Sequence, residues 1–222
     1  MEEKRLFDIL KLYIAKYPNQ EVALARKESG NWKKFSIQEY VETTNNISYA
    51  LIELGIKKDD KVGIICSNRP EWNMLDMAIM QTGAVSVPIY PTISKEDYQY
   101  IINDCGVKLI VLEGQSILQK IESVKDNAPS LTAIYTIGTK SEYPTFEQLV
   151  EIGKNNPNPE ELKRREVAYE FGAKSYVYLF VLPIILGPIL VFILGFLTKS
   201  AIISSIIALP IALFSYIYFL FC

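Results

Sequence analysis

The chain has 222 residues, with 23 basic and 25 acidic side chains, a formal net charge of −2 and no histidine. Without imidazole, Ser-His-Asp and Cys-His catalysis and histidine metal ligation are excluded, and the near-neutral balance lacks the basic footprint that nucleic acid requires. Cys66, Cys105 and Cys222 are odd in number and have no CxxC spacing, which argues against a disulfide framework or zinc site; Cys66 and Cys105, next to apolar runs, read as buried structural thiols, and Cys222 as a membrane-face thiol, with lipidation the lesser alternative.

Charge is unevenly placed. Residues 1–174 hold 22 of the basic and all 25 acidic residues, and from Ser175 to Cys222 the only charged side chain is Lys199. The first stretch is long enough for one sizeable core. Met1-Glu2-Glu3-Lys4-Arg5 has no apolar run behind it, so no cleavable signal is expected.

In chain order, Leu6, Leu10, Tyr13 and Ile14 recur at helical spacing and predict a short amphipathic helix. Glu21 to Ala25 and Trp32 to Phe35 flank Ser29-Gly30-Asn31, a hairpin pattern. Ser36-Ile37-Gln38-Glu39 is a capping box, opening a helix whose face continues through Tyr40, Val41, Thr44, Ile47 and Leu51 to a stop at Gly55. Asn46-Ile47-Ser48 is a glycosylation sequon on that helix, read as accidental.

From there strands and helices alternate. Val62 to Cys66 reads as a buried strand, and Pro70 to Gln81 as a helix that Asn68 or Arg69 caps and Gly83 ends. Ala84 to Tyr90 is a second strand, which Pro88 places at a sheet edge or cuts short. A helix from Ser94 with Asp97, a strand Leu109 to Leu112, a helix Ile117 to Val124 and a strand Ala133 to Ile137 follow. Thr145-Phe146-Glu147-Gln148 is a further capping box, with its helix expected to stop near Gly153. The alternation predicts an α/β domain with a mostly parallel sheet. Asn155-Asn156-Pro157-Asn158-Pro159 is the linker candidate, followed by a charged helix from Glu160.

Tyr176 to Leu197 and Ala201 to Cys222 are each 22 residues without a charge, enough at about 1.5 Å per residue to cross a hydrocarbon core of roughly 30 Å. Two transmembrane helices joined by Thr198-Lys199-Ser200 are expected. Lys163, Arg164, Arg165 and Lys174 outweigh Lys199, and Tyr176, Tyr178, Tyr216 and Tyr218 would share the interface, so the preceding domain is expected to face the cytoplasm. Pro183, Gly187 and Pro188 predict a kink in the first span. The expected divisions are 1–165, a charged juxtamembrane linker 166–175, and a membrane hairpin 176–222.

Lys61-Val62-Gly63-Ile64-Ile65-Cys66-Ser67-Asn68-Arg69-Pro70-Glu71-Trp72 and Gly83-Ala84-Val85-Ser86-Val87-Pro88-Ile89-Tyr90-Pro91-Thr92 closely resemble the amino-terminal region of long-chain acyl-CoA synthetases, which are adenylate-forming, AMP-binding ligases. Trp32 to Tyr40 and the Phe146-Glu147-Gln148-Leu149 region agree with it. The resemblance implies an incomplete parallel-sheet domain of the adenylate-forming type. It further implies a two-step reaction in which ATP and a fatty acid give an acyl-adenylate and pyrophosphate, and coenzyme A then takes the acyl group. ATP, Mg²⁺ and coenzyme A would serve the complete family. The family's Thr-Ser-Gly-Thr-Thr-Gly-x-Pro-Lys loop has no counterpart here, so no catalytic residue is carried over and no cofactor is expected for this chain alone.

Tyr135-Thr136-Ile137-Gly138-Thr139-Lys140 looks like a shortened form of that loop, but one glycine makes a strand and turn the plainer reading. Asn68, Arg69 and Glu71 belong to the family signature and read as capping and packing residues. Val167-Ala168-Tyr169-Glu170-Phe171-Gly172-Ala173-Lys174 with the two apolar stretches looks like the terminal part of UbiA-type aromatic prenyltransferases, although their Mg²⁺-binding aspartates have no counterpart beyond Asp126. The expectation is therefore a membrane-tethered partial acyl-CoA synthetase domain, with membrane lipid and a second polypeptide that completes the ligase fold as partners. A non-catalytic interaction module with an exposed sheet edge and a prenyltransferase remnant are the alternatives.

Overall fold

The structure is a computed structural model that describes residues 5–166. The two apolar stretches, the basic approach from Val167 onward and Cys222 lie outside the described residues, and among the described residues no helix is long and apolar enough to cross a membrane.

The opening helix α1 spans Asp8–Lys16. Its buried side is built by Phe7 and Leu10, whereas Leu6 is 61% exposed, because Leu6 lies in the turn ahead of the helix and points away from the core. The spacing had placed Leu6 with Leu10. Strands β1 (Leu24–Glu28) and β2 (Asn31–Phe35) pair antiparallel around Ser29-Gly30. Both turn residues have positive φ, 49° and 87°, the geometry that matches a two-residue turn to the strands' twist.

Helix α2 (Ile37–Glu53) starts at the Ser36/Glu39 capping box, with both reciprocal hydrogen bonds formed. The same device opens α4 (Lys95–Cys105) from Ser94 and Asp97, and α6 (Phe146–Asn155) from Thr145 and Gln148. Helix α3 (Pro70–Gln81) has Pro70 in its first turn but no side-chain cap from Arg69. Proline's fixed φ and missing N–H already suit that position, so the capping role expected of Asn68 or Arg69 is not used.

Four parallel strands form the sheet in the order β4 (Val85–Pro88), β3 (Lys61–Ile65), β5 (Val107–Glu113), β6 (Ala133–Ile137). Pro88 stands on an edge strand, where a missing N–H costs no ladder bond. Side chains alternate along the strands: Leu109 and Val111 join the core with α1, α2, α3 and α6, while Ile110 and Leu112 join the core with α4 and α5 (Gln115–Val124). Helices therefore cover both faces, as a parallel sheet requires. The outer edge of β6 is less open than an incomplete sheet suggests. Ile134 to Ile137 are buried, and the Thr136 N–H donates to the Pro144 carbonyl at 2.9 Å, because the segment after Gly138 folds back along the strand.

Helix α6 stops two residues beyond Gly153, at Asn155, but Gly153 is not its cap. It lies buried inside the helix, and a Cβ there would stand 1.7 Å from the Asn46 carbonyl oxygen of α2, so glycine is what lets the two backbones touch. Ser48, the last residue of the sequon, is fully buried and donates to Gln81 Oε1 at 2.8 Å. The linker candidate is a short turn: residues 159–166 are helical again, Asn158 Oδ1 accepts from the Glu161 N–H, Leu162 is buried, and Arg165 Nη1 donates to the Ile56 carbonyl.

Gly153→Ala should force α2 and α6 apart and destabilise the chain by about 3 kcal/mol, the upper part of the overpacking range. Denaturant unfolding of the full chain in detergent, followed by circular dichroism, measures it; an unchanged midpoint would contradict this packing.

Candidate functional site

In an open parallel sheet, ligands bind beyond the carboxyl ends of the strands, where the strand order reverses. Here β3 connects outward to β4 while the chain returns across β3 to β5, so the reversal falls between β3 and β5. The loop after β3 carries Cys66, Ser67, Asn68 and Arg69, and β5 ends at Glu113. These two loci meet.

Glu113 bridges the crevice. Its Oε2 accepts from the Ser67 N–H at 3.0 Å and from Ser67 Oγ at 2.6 Å, and its Oε1 accepts from Arg69 Nη1 at 2.5 Å. Arg69 also grips Glu71 through two bonds, Nε to Oε2 at 2.9 Å and Nη2 to Oε1 at 3.1 Å. Arg26 of β1 completes the series at 3.1 Å from Glu71 Oε1. The hairpin, the start of α3 and the end of β5 are thereby joined by two guanidiniums and two carboxylates.

Burial decides what this cluster is worth. The Arg69 and Glu71 side chains are 9% and 5% exposed, Glu113 32%. Burial alone would raise the Glu71 carboxyl, but the bonds from Arg69 and the charges of Arg69 and Arg26 outweigh it and hold the group below its ordinary value of 4.5. Glu113 is lowered likewise: burial opposes, and the Ser67 bonds and Arg69 win. Arg69 is raised despite burial, chiefly by Glu71. The Cys66 thiol is pushed up to about 12, first by burial and then by the Glu113 charge, so it is a poor nucleophile at neutral pH.

Arg26 also meets Glu28 Oε1 at 3.2 Å, so two guanidiniums face three carboxylates and every carboxylate is held by a guanidinium. Such an arrangement orients loops; it offers no base poised near neutrality and no uncompensated cation for a phosphate. Among the described residues no group of His, Cys, Asp and Glu is arranged to hold a metal ion. Asn68, grouped with Arg69 and Glu71 in the sequence, is exposed and stands outside the cluster. Arg26 and Glu113 had no local signal; only their position at a strand end and in a hairpin next to a signature motif pointed toward them.

Tyr135 to Ile137 belong to β6, and Gly138, with φ 59°, starts the turn. Thr139 Oγ1 accepts the Gly114 N–H at 2.8 Å and donates to the Ile137 carbonyl at 3.1 Å. That segment ties β5 to β6 beside the crevice, with Lys140 exposed.

The profile of the AMP-binding enzyme family matches residues 11–170. The long-chain-fatty-acid-CoA ligase ACSBG2 of Xenopus laevis is 35% identical over 142 residues, covering 62% of this chain and 19% of the relative. Fatty acyl-CoA synthetase A of Dictyostelium discoideum is 36% identical over 101 residues, covering 46% of this chain and 15% of the relative. Among solved structures, the anthranilate CoA ligase AuaEII in complex with anthranoyl-AMP superposes with a TM-score of 0.56 at 26% identity, over 65% of this chain and 26% of that one. A long-chain-fatty-acid-CoA ligase of Archaeoglobus fulgidus does so with a TM-score of 0.58 at 18% identity, over 67% and 30%, a likeness of fold. The chain spans about a fifth of the length of the first of these curated relatives.

Arg69→Ala leaves Glu71 buried with Arg26 as its remaining partner and should cost about 3 kcal/mol, the lower end for a broken buried pair. Because Glu71 and Glu113 titrate lower folded than unfolded, their contribution is complete above the ordinary value of 4.5 and is lost as pH falls through the depressed values. Denaturant midpoints between pH 7 and pH 3 should fall steeply below about pH 4.5 in the natural chain and less steeply in Arg69→Ala; parallel curves would refute the pairing.

Proposed function

The chain belongs to the AMP-binding enzyme family, and from that premise we propose that it is a membrane-tethered partial long-chain fatty acid-CoA ligase domain that does not form acyl-adenylate by itself. The observation carrying this reading is the ion-paired cluster at the strand ends, in which both guanidiniums are held by carboxylates, in a chain whose sequence holds no glycine-rich phosphate loop. Adenylation sets a carboxylate against the α-phosphate of ATP and expels pyrophosphate, so it needs a cradle of backbone N–H groups, a metal and a lysine for the developing charge. Glu113 and Arg69 neutralise each other and are not available for that work.

The tether is supported by the two uncharged stretches of 22 residues and by the basic residues before them. On this reading the hairpin lies in a membrane and the domain that precedes it faces the cytoplasm. The Val167 to Lys174 pattern supports a shared origin of this segment with prenyltransferase termini. A second reading, a non-catalytic interaction module, is favoured by one observation: β4, with Val85 exposed, is an edge of the four-stranded sheet.

The purified full chain, given ATP, Mg²⁺ and palmitate, should release no more pyrophosphate than a protein-free control, and release above that level would overturn the proposal. For topology, Lys199→Cys should be labelled from outside intact cells while a reporter at position 2 stays protected; labelling of both from one side would refute the hairpin.

A further inference from the structure

The hairpin holds out a strand that no other described part of the chain pairs with. Leu24 and Phe35 pack against the core, and Arg26 fastens β1 to Glu71 of α3 at 3.1 Å. By contrast, Asn31, Trp32, Lys33 and Lys34 of β2 are all exposed, Trp32 at 64%. The two strands form a sheet of their own, and no backbone bond of residues 31–34 reaches any described segment other than β1. In an antiparallel pair alternate residues bond the partner. Strand β2 therefore turns its remaining N–H and C=O groups to the open side, the template on which a further strand forms.

Charge decides which strand fits. Residues 24–35 carry Arg26, Lys27, Lys33 and Lys34 against Glu28 alone, in a chain whose net charge is −2. Arg26 takes up Glu28 at 3.2 Å, and among the described residues Lys27, Lys33 and Lys34 have no carboxylate within ion-pair distance. Side chains alternate along a strand, and the register sets Lys27 opposite Trp32 and Ala25 opposite Lys34. One face of the ribbon thus shows two ammonium groups and an indole with no acid, while Lys33, over the Phe35 ring at 5.4 Å, adds a cation on the other face. A second copy of β2 laid along this edge would bring lysines against lysines, which opposes self-pairing. A strand that carries carboxylates gains where the copy loses.

We propose that the open edge of β2 takes up an extended acidic segment of another polypeptide as a third strand. Backbone bonds to β2 set its register, Lys34, backed by Lys27, pairs its carboxylates, and Trp32 covers the neighbouring side chain. This binding function is independent of the ligase and tether readings.

The test uses the full chain in a nonionic detergent and a dye-labelled decapeptide of alternating glutamate and valine, which sets every carboxylate on one face of a strand. Fluorescence anisotropy should report saturable binding that weakens as salt rises. Lys34→Glu should weaken it by about tenfold, a like charge standing where an opposite one did, and Lys27→Glu by less. Trp32→Ala should weaken it too, while Lys154→Glu, at an exposed position of α6, leaves it unchanged. Amide hydrogen exchange within residues 31–34 should slow when the peptide is added. Equal binding of a decapeptide with the same residues in two blocks, or binding without slowed exchange, would show attraction of charge alone and overturn the third strand. Tighter binding of an oligothymidylate than of the peptide overturns the choice of partner, and no binding overturns the proposal outright. Circular dichroism of each variant separates lost folding from lost contact. If Lys34→Glu unfolds the chain, Lys34→Gln, which removes the charge and keeps most of the length, carries the same comparison.

Discussion

The pairing of β3 with β5 is the contact from which the rest of the domain follows. It joins segments more than 40 residues apart in parallel register, Val62 beside Leu109 through Ile65 beside Leu112, and leaves both strands buried on both faces. A strand in that position must be apolar throughout, and its two neighbours must be reached by crossovers of one hand. The placement of α3 on one face and of α4 and α5 on the other follows from that handedness. The pairing also carries the Ser67-Arg69 loop to within hydrogen-bond distance of Glu113.

What stands at that junction is a set of ion pairs. Two largely buried cations hold three carboxylates, and the most buried member, Glu71, is held from two sides. Buried ion pairs contribute modestly to net stability because desolvation opposes them, yet they fix geometry: Arg26 positions the hairpin on α3, and Glu113 holds the loop after β3. A crevice where related folds receive ligands is in this chain a joint between elements. The chemistry of the AMP-binding family therefore has to be sought in groups other than these.

The packing of α2 against α6 shows a second kind of constraint, set by space. Gly153 approaches the Asn46 carbonyl so closely that no side chain fits, and the close approach brings Phe146 and Leu149 into the core with Tyr40 and Ile47. Helix α1 is the opposite case. It buries Leu10 yet leaves Ile9 and Leu12 outward, beside Leu6 in the preceding turn, a surface that water does not favour.

Much of this was legible from local chemistry. Capping boxes at Ser36, Ser94 and Thr145, the Ser29-Gly30 turn, Pro70 in a first helical turn and the buried strand at Val62 are decided within a few residues of backbone, so the order of elements, the α/β class and the family resemblance could be read from the chain. The remainder depended on groups distant in sequence. Whether Gly153 ends a helix or admits a neighbour is decided by Asn46; whether Arg69 caps α3 or holds two carboxylates is decided by Glu113; whether Leu6 points in or out is decided by where the helix begins. Local periodicity describes a residue's direction along its own element, but its partner is chosen by the sheet order and the crossovers, and those exist only once β3 and β5 have met.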